Sequence, residues 1–163
     1  MNELAERFYE WAKNNGWNVG LADKRQGLPK SVTERYAFIP SDWVEFIQYF
    51  KVCINSENNL FFQLPEDFED IGDDSGFRWN EFELISLEAA KGDEKWTADI
   101  RAFWDNYLPI VMSVEGDYHY YAIGIKTGEV FDGWAPEFEE PEIVASSFAD
   151  FIDKIIFGKI ELI

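Results

Sequence analysis

Residues 104–134 read WDNYLPIVMSVEGDYHYYAIGIKTGEVFDGW, and the two glycine-bearing breaks inside that run decide how it folds. The β-branched and aromatic stretches predict three short strands, at 108–114, 117–125 and 129–131. Glu115-Gly116 and Lys126-Thr127-Gly128 separate them. Their glycines can adopt the positive φ that a tight hairpin turn requires. Just upstream, Trp96, Ile100, Phe103 and Trp104 follow helical spacing, so a helix is expected to lead into the first of these strands. Downstream, residues 135–141 read as an acidic loop bounded by prolines. Ser146 or Ser147 is then placed to cap a last helix whose apolar face is Phe148, Phe151, Ile152, Ile155 and Ile156.

Further out the pattern is mixed. Leu4, Phe8, Trp11 and Ala12 predict an amphipathic helix over 3–15, ended by Asn14-Asn15-Gly16. Residues 17–37 contain Gly20, Gly27 and Pro29 and read as loop with at most a short helical turn. Pro40 fixes the start of a second helix, which Ser41 or Asp42 is placed to cap. Trp43, Phe46, Ile47 and Phe50 form its apolar face, and its end is expected near Cys53. Residues 60–64 form a short aromatic strand stopped by Pro65, followed by an acidic loop over 66–76. Residues 77–79 and 82–87 are β-favourable, the latter alternating Phe82 and Leu84 against Glu83 and Ile85. The expected architecture is α+β, a mainly antiparallel sheet with helices packed against it, in one domain over 1–163.

The order of four pieces resembles a known family. Phe38-Ile39-Pro40-Ser41-Asp42-Trp43-Val44-Glu45-Phe46 is similar to the Pro-x-acidic-aromatic opening of SMI1/KNR4 domains, the SUKH superfamily. Leu108-Pro109-Ile110 with Gly116-Asp117-Tyr118 resembles that family's hairpin, and Gly128-Glu129-Val130 its third strand. Ala145-Ser146-Ser147-Phe148-Ala149-Asp150-Phe151-Ile152 resembles its closing helix. The likeness spans roughly residues 38–157; residues 55–59 lack the family's glycine turn, and residues 1–37, a helix and loop, match no part of it. It implies an α+β fold and a bacterial immunity protein that binds and neutralises a toxin domain. Fungal relatives act through protein contacts as cell-wall regulators. No catalytic role attaches to the shared motifs.

Composition supports a folded protein whose charge either suits a basic partner or serves solubility alone. The chain has 163 residues, 47% of them hydrophobic, with 29 aromatic side chains and a net charge of −18. Residues 1–60 carry 8 acids and 7 bases, whereas residues 61–163 carry 24 acids and 7 bases. Such a field repels nucleic acid and anionic lipid and attracts a basic partner. An acidic N-terminus without an apolar run, no long apolar stretch and a single cysteine lead to the expectation of a cytoplasmic protein.

Catalytic chemistry finds little footing. His119 is the one histidine and Cys53 the one cysteine, and packing is the simpler role for each. Zinc lacks paired ligands. An EF-hand counted from Asp70 puts Glu81 correctly at position 12. It also puts Gly72 at position 3 and Ser75 at position 6, which breaks the pattern. No catalytic residue, metal or cofactor is therefore expected. The candidate partner-binding residues are Asp67, Phe68, Asp70, Asp73 and Asp74 in one acidic segment and Glu137, Phe138, Glu139, Glu140 and Glu142 in the other. There aromatics would anchor and carboxylates would steer a basic protein toxin. Two alternatives remain open: a regulatory interaction module using the same surface, and a carbohydrate-binding protein or glycoside hydrolase in which Trp79 or Trp134 stacks a sugar.

Overall fold

One interior strand is buried on both faces, which requires helices on both sides of the sheet. His119–Gly124 (β5) reads HYYAIG, and all six residues are buried, which is the pattern of a strand covered on both sides rather than one. The computed structural model describes residues 1–69 and 77–162. Among these, seven strands form one antiparallel sheet in chain order: Asn18–Leu21 (β1), Phe50–Ile54 (β2), Leu60–Phe62 (β3), Tyr107–Ser113 (β4), β5, Val130–Trp134 (β6) and Glu142–Ala145 (β7). The fold is α+β, as expected.

Helices Glu3–Asn14 (α1), Lys30–Arg35 (α2), Ser41–Ile47 (α3) and Phe148–Ile156 (α6) contribute to the core on one face. There Phe8, Trp43, Phe46 and Phe151 pack with Phe62, Val111, Tyr121 and Ile123 of the strands. The opposite face is covered by Glu81–Ala89 (α4) and Glu94–Asn106 (α5), with Phe82, Ile100 and Trp104 against Met112, Tyr120 and Ala122. Both hairpin turns use the expected glycines, Gly116 at φ 74° and Gly128 at φ 77°. Ser147 caps α6 by accepting from the Asp150 N–H. No helix among the described residues is long and apolar enough to cross a membrane.

Six expectations need correction. The helix from Pro40 ends at Ile47, and Phe50–Ile54 with Cys53 is strand β2; the β-branched Val52 and Ile54 flank Cys53 and favour extension. Pro40 itself occupies the N-cap position of α3, with no side-chain cap, and the Asp42 carboxylate accepts from the Trp43 amide. Residues 82–87 are helical within α4, because Phe82 and Ala90 insert into the second core while Glu83 reaches Arg35. Residues 77–79 join no strand. Residues 17–37 hold β1 and α2, and residues 142–145, read as the end of the acidic segment, form β7.

Candidate functional site

Among the described residues, both acidic segments hang exposed carboxylates on a buried aromatic. After β3 the chain makes a single 3₁₀ turn, Pro65–Phe68. The Asp67 carboxylate accepts from the Leu64 N–H at 2.7 Å, and burial raises its pKa against that bond's opposing effect. Phe68 is 0% exposed, edge-on to Trp43 and against Trp79. Asp70, Asp73 and Asp74 lie outside the described residues.

The connection from β6 to β7 follows the same plan. Phe138 is 3% exposed, stacked on Phe82 with ring centroids 4.8 Å apart, and its carbonyl accepts from the Tyr120 hydroxyl. Gly133 makes this possible, since a Cβ there would collide with the Tyr120 ring. Glu137, Glu139, Glu140 and Glu142 are exposed. Phe68 and Phe138 thus pin their segments to the core, and an aromatic seated this way has no surface left for a partner. That corrects their expected role as partner anchors. A short polar-flanked aromatic reads identically in sequence whether it points in or out.

The electrostatics around β6 and β7 are one-sided. Residues 127–153 contain eight acids and no lysine, arginine or histidine. Asp150 and Asp153 are tied to Lys154 and Arg7 at 3.2 and 2.6 Å, and Asp132 faces His119. Glu137, Glu139, Glu140 and Glu142 remain exposed along the connection and the start of the edge strand.

The other candidates are dispersed or enclosed. Cys53 on β2 and His119 on β5 stand three strands apart, about 14 Å at the usual strand spacing. Burial pushes the Cys53 thiol far above its ordinary pKa, so it stays protonated. His119 is 1% exposed, stacked on Trp134 at 3.7 Å and 12°, with Nε2 3.3 Å from Asp132 Oδ2. Among the described residues no three His, Cys, Asp or Glu side chains gather as metal ligands would. Trp79 is engaged by Tyr36 and Phe68, and one face of Trp134 by His119.

One polar cluster had no sequence signal. Arg35 of α2 donates to both Glu83 oxygens at 2.8 and 2.7 Å and, through Nε, to Asp105 at 2.9 Å. Burial opposes the Arg35 charge most strongly, yet Glu83, Tyr36 and Asp105 together outweigh it and raise its pKa. Next to it the Tyr36 hydroxyl donates to the Trp104 carbonyl. The cluster joins α2 to α4 and α5, which lie far along the chain from it, so only the fold could reveal it. No family model, curated protein or solved structure matches the chain.

Proposed function

We propose that this chain is a non-catalytic protein-binding domain of the SUKH type that neutralises a cognate, basic bacterial toxin domain by occupying its charged surface. The observation that carries the reading is the run of eight acids without a base over residues 127–153, of which Glu137, Glu139, Glu140 and Glu142 stand exposed at an edge strand and the connection leading into it. A nuclease cleft built to attract phosphate is basic, and a surface of this sign approaches it quickly and repels nucleic acid itself. The antiparallel sheet with helices packed on it agrees with the fold that the resemblance implies. Co-expression with a toxin domain encoded beside this chain tests it. Rescue of growth together with a tight complex that weakens as salt rises supports the proposal. No rescue by the intact, folded chain, with a non-toxin partner recovered instead, turns the reading toward a regulatory interaction module.

A further inference from the structure

Outside the cover of Phe138, the second face of the sheet carries a row of aromatic rings that the core does not close over. Phe103 near the end of α5 stacks on Tyr107 at 4.5 Å and 19°, and Tyr107 meets Phe131 of β6 edge-on at 5.1 Å. All three are half-buried. Phe131 lies over Gly124, where a Cβ would come within 2.7 Å of its ring, so the bare backbone of β5 seats it. Across the next strand pair Phe131 faces Ile143, which is 57% exposed. The row therefore crosses from α5 over the sheet to its last strand and ends on an open aliphatic side chain. Glu139 and Glu140 stand exposed on the connection that leads into this strand, whereas Glu142, paired with Asp132, lies on the other face.

We propose that Phe103, Tyr107, Phe131 and Ile143, rimmed by Glu139 and Glu140, form a docking surface for an arginine-bearing segment of a basic protein. The inference deepens the protein-binding reading above and rests on it. Arginine is favoured by the chemistry: its planar guanidinium lies against an aromatic ring while pairing with a carboxylate, and it is only weakly hydrated. Lysine offers a compact, strongly hydrated charge that makes the ion pair without the stack. Nucleic acid and anionic lipid are opposed by the same carboxylates, and a second copy of this chain would bring another −18 to the contact. The contact runs through side chains and not through strand addition. β7 has four residues, is bulged against β6, and its Val144 carbonyl already accepts from Lys154.

Fluorescence anisotropy with labelled nona-arginine and nona-lysine peptides, on the whole chain at about 0.15 M salt, tests this directly. The arginine peptide should bind about tenfold more tightly than the lysine peptide. I143S combined with E139Q and E140Q should bring the two peptides to the same affinity. The charge-matched control E34Q and E88Q, both exposed positions, should weaken both peptides alike and leave the discrimination intact. Circular dichroism confirms that each variant is folded. Equal affinity for the two peptides, or equal losses in the surface variant and the control, overturns the docking surface and leaves only a general field. A toxin that binds yet ignores the surface variant removes this surface and keeps the protein-binding reading. A discriminating surface on a chain that rescues no toxin does the reverse.

Discussion

Replacing Glu83 with alanine removes both oxygens that hold the Arg35 guanidinium and leaves a partly buried cation with Asp105 alone. Glu83 is 7% exposed and Arg35 22%, so water replaces the lost contacts incompletely. The expected loss is about 2–4 kcal/mol, measured by urea denaturation. Asp105→Asn removes the charge of a partner that is 56% exposed and should cost under about 1 kcal/mol. Equal losses in the two variants would mean that solvent screens Arg35 fully. Single residues were the least legible part of this chain. Glu83 sits in an alternating run that satisfies a strand template as well as a helix, and its partner is 48 positions away. Phe68 and Phe138 failed for a related reason: local polarity marked a loop, while burial was decided by rings on distant elements.

At the scale of elements, legibility followed how much each segment decided for itself. The hairpins of β4, β5 and β6 announced themselves through Gly116 and Gly128, and α6 through its serine cap and four-residue apolar spacing. β2 and α4 were misread because Phe50 and Phe82 fit either period, and packing chose. The α6 start offers two linked tests. Ser147→Ala removes the acceptor for the Asp150 N–H and should cost about 1 kcal/mol in thermal or urea unfolding. Asp150 in turn accepts from the Ser146 N–H and hydroxyl and pairs with Lys154, and the Ser146 amide bond foremost lowers its pKa. A carboxylate with a depressed folded-state pKa contributes stability above its unfolded pKa and loses it as pH falls through the folded one. Asp150→Asn should therefore be less stable than the parent at neutral pH. The gap should close on acidification below the ordinary aspartate value of about 4. A gap that persists unchanged in acid would assign the effect to geometry and not to charge.

For the whole molecule, the same charge that suits a basic partner strains the isolated chain. Net charge was fully legible in sequence; its placement around β6 and β7 became visible only once the sheet had set these strands at an edge. With 32 acids against 14 bases, like-charge repulsion favours expansion, and within residues 127–153 the acids Asp150 and Asp153 are offset by Lys154 and Arg7 while no base lies in the segment itself. Salt screens this term: the Debye length falls from about 30 Å at 0.01 M to about 10 Å at 0.1 M. Thermal unfolding in sodium chloride should therefore show Tm rising by several degrees over that range and levelling off above it. Chloride is the right anion for the measurement, because sulfate also strengthens apolar burial and would raise Tm for a separate reason. The exposed triple variant E139Q, E140Q and E142Q should start higher at low salt and rise less, since it lowers the repulsion that salt otherwise screens. Tm that falls with salt would mean that surface pairs such as Arg7–Asp153 and Lys154–Asp150 outweigh repulsion, and screening them costs more than it relieves. A rising curve also sets the condition for partner work. Low salt is where a basic partner associates fastest and where this chain alone is weakest, so binding at low salt should raise Tm most.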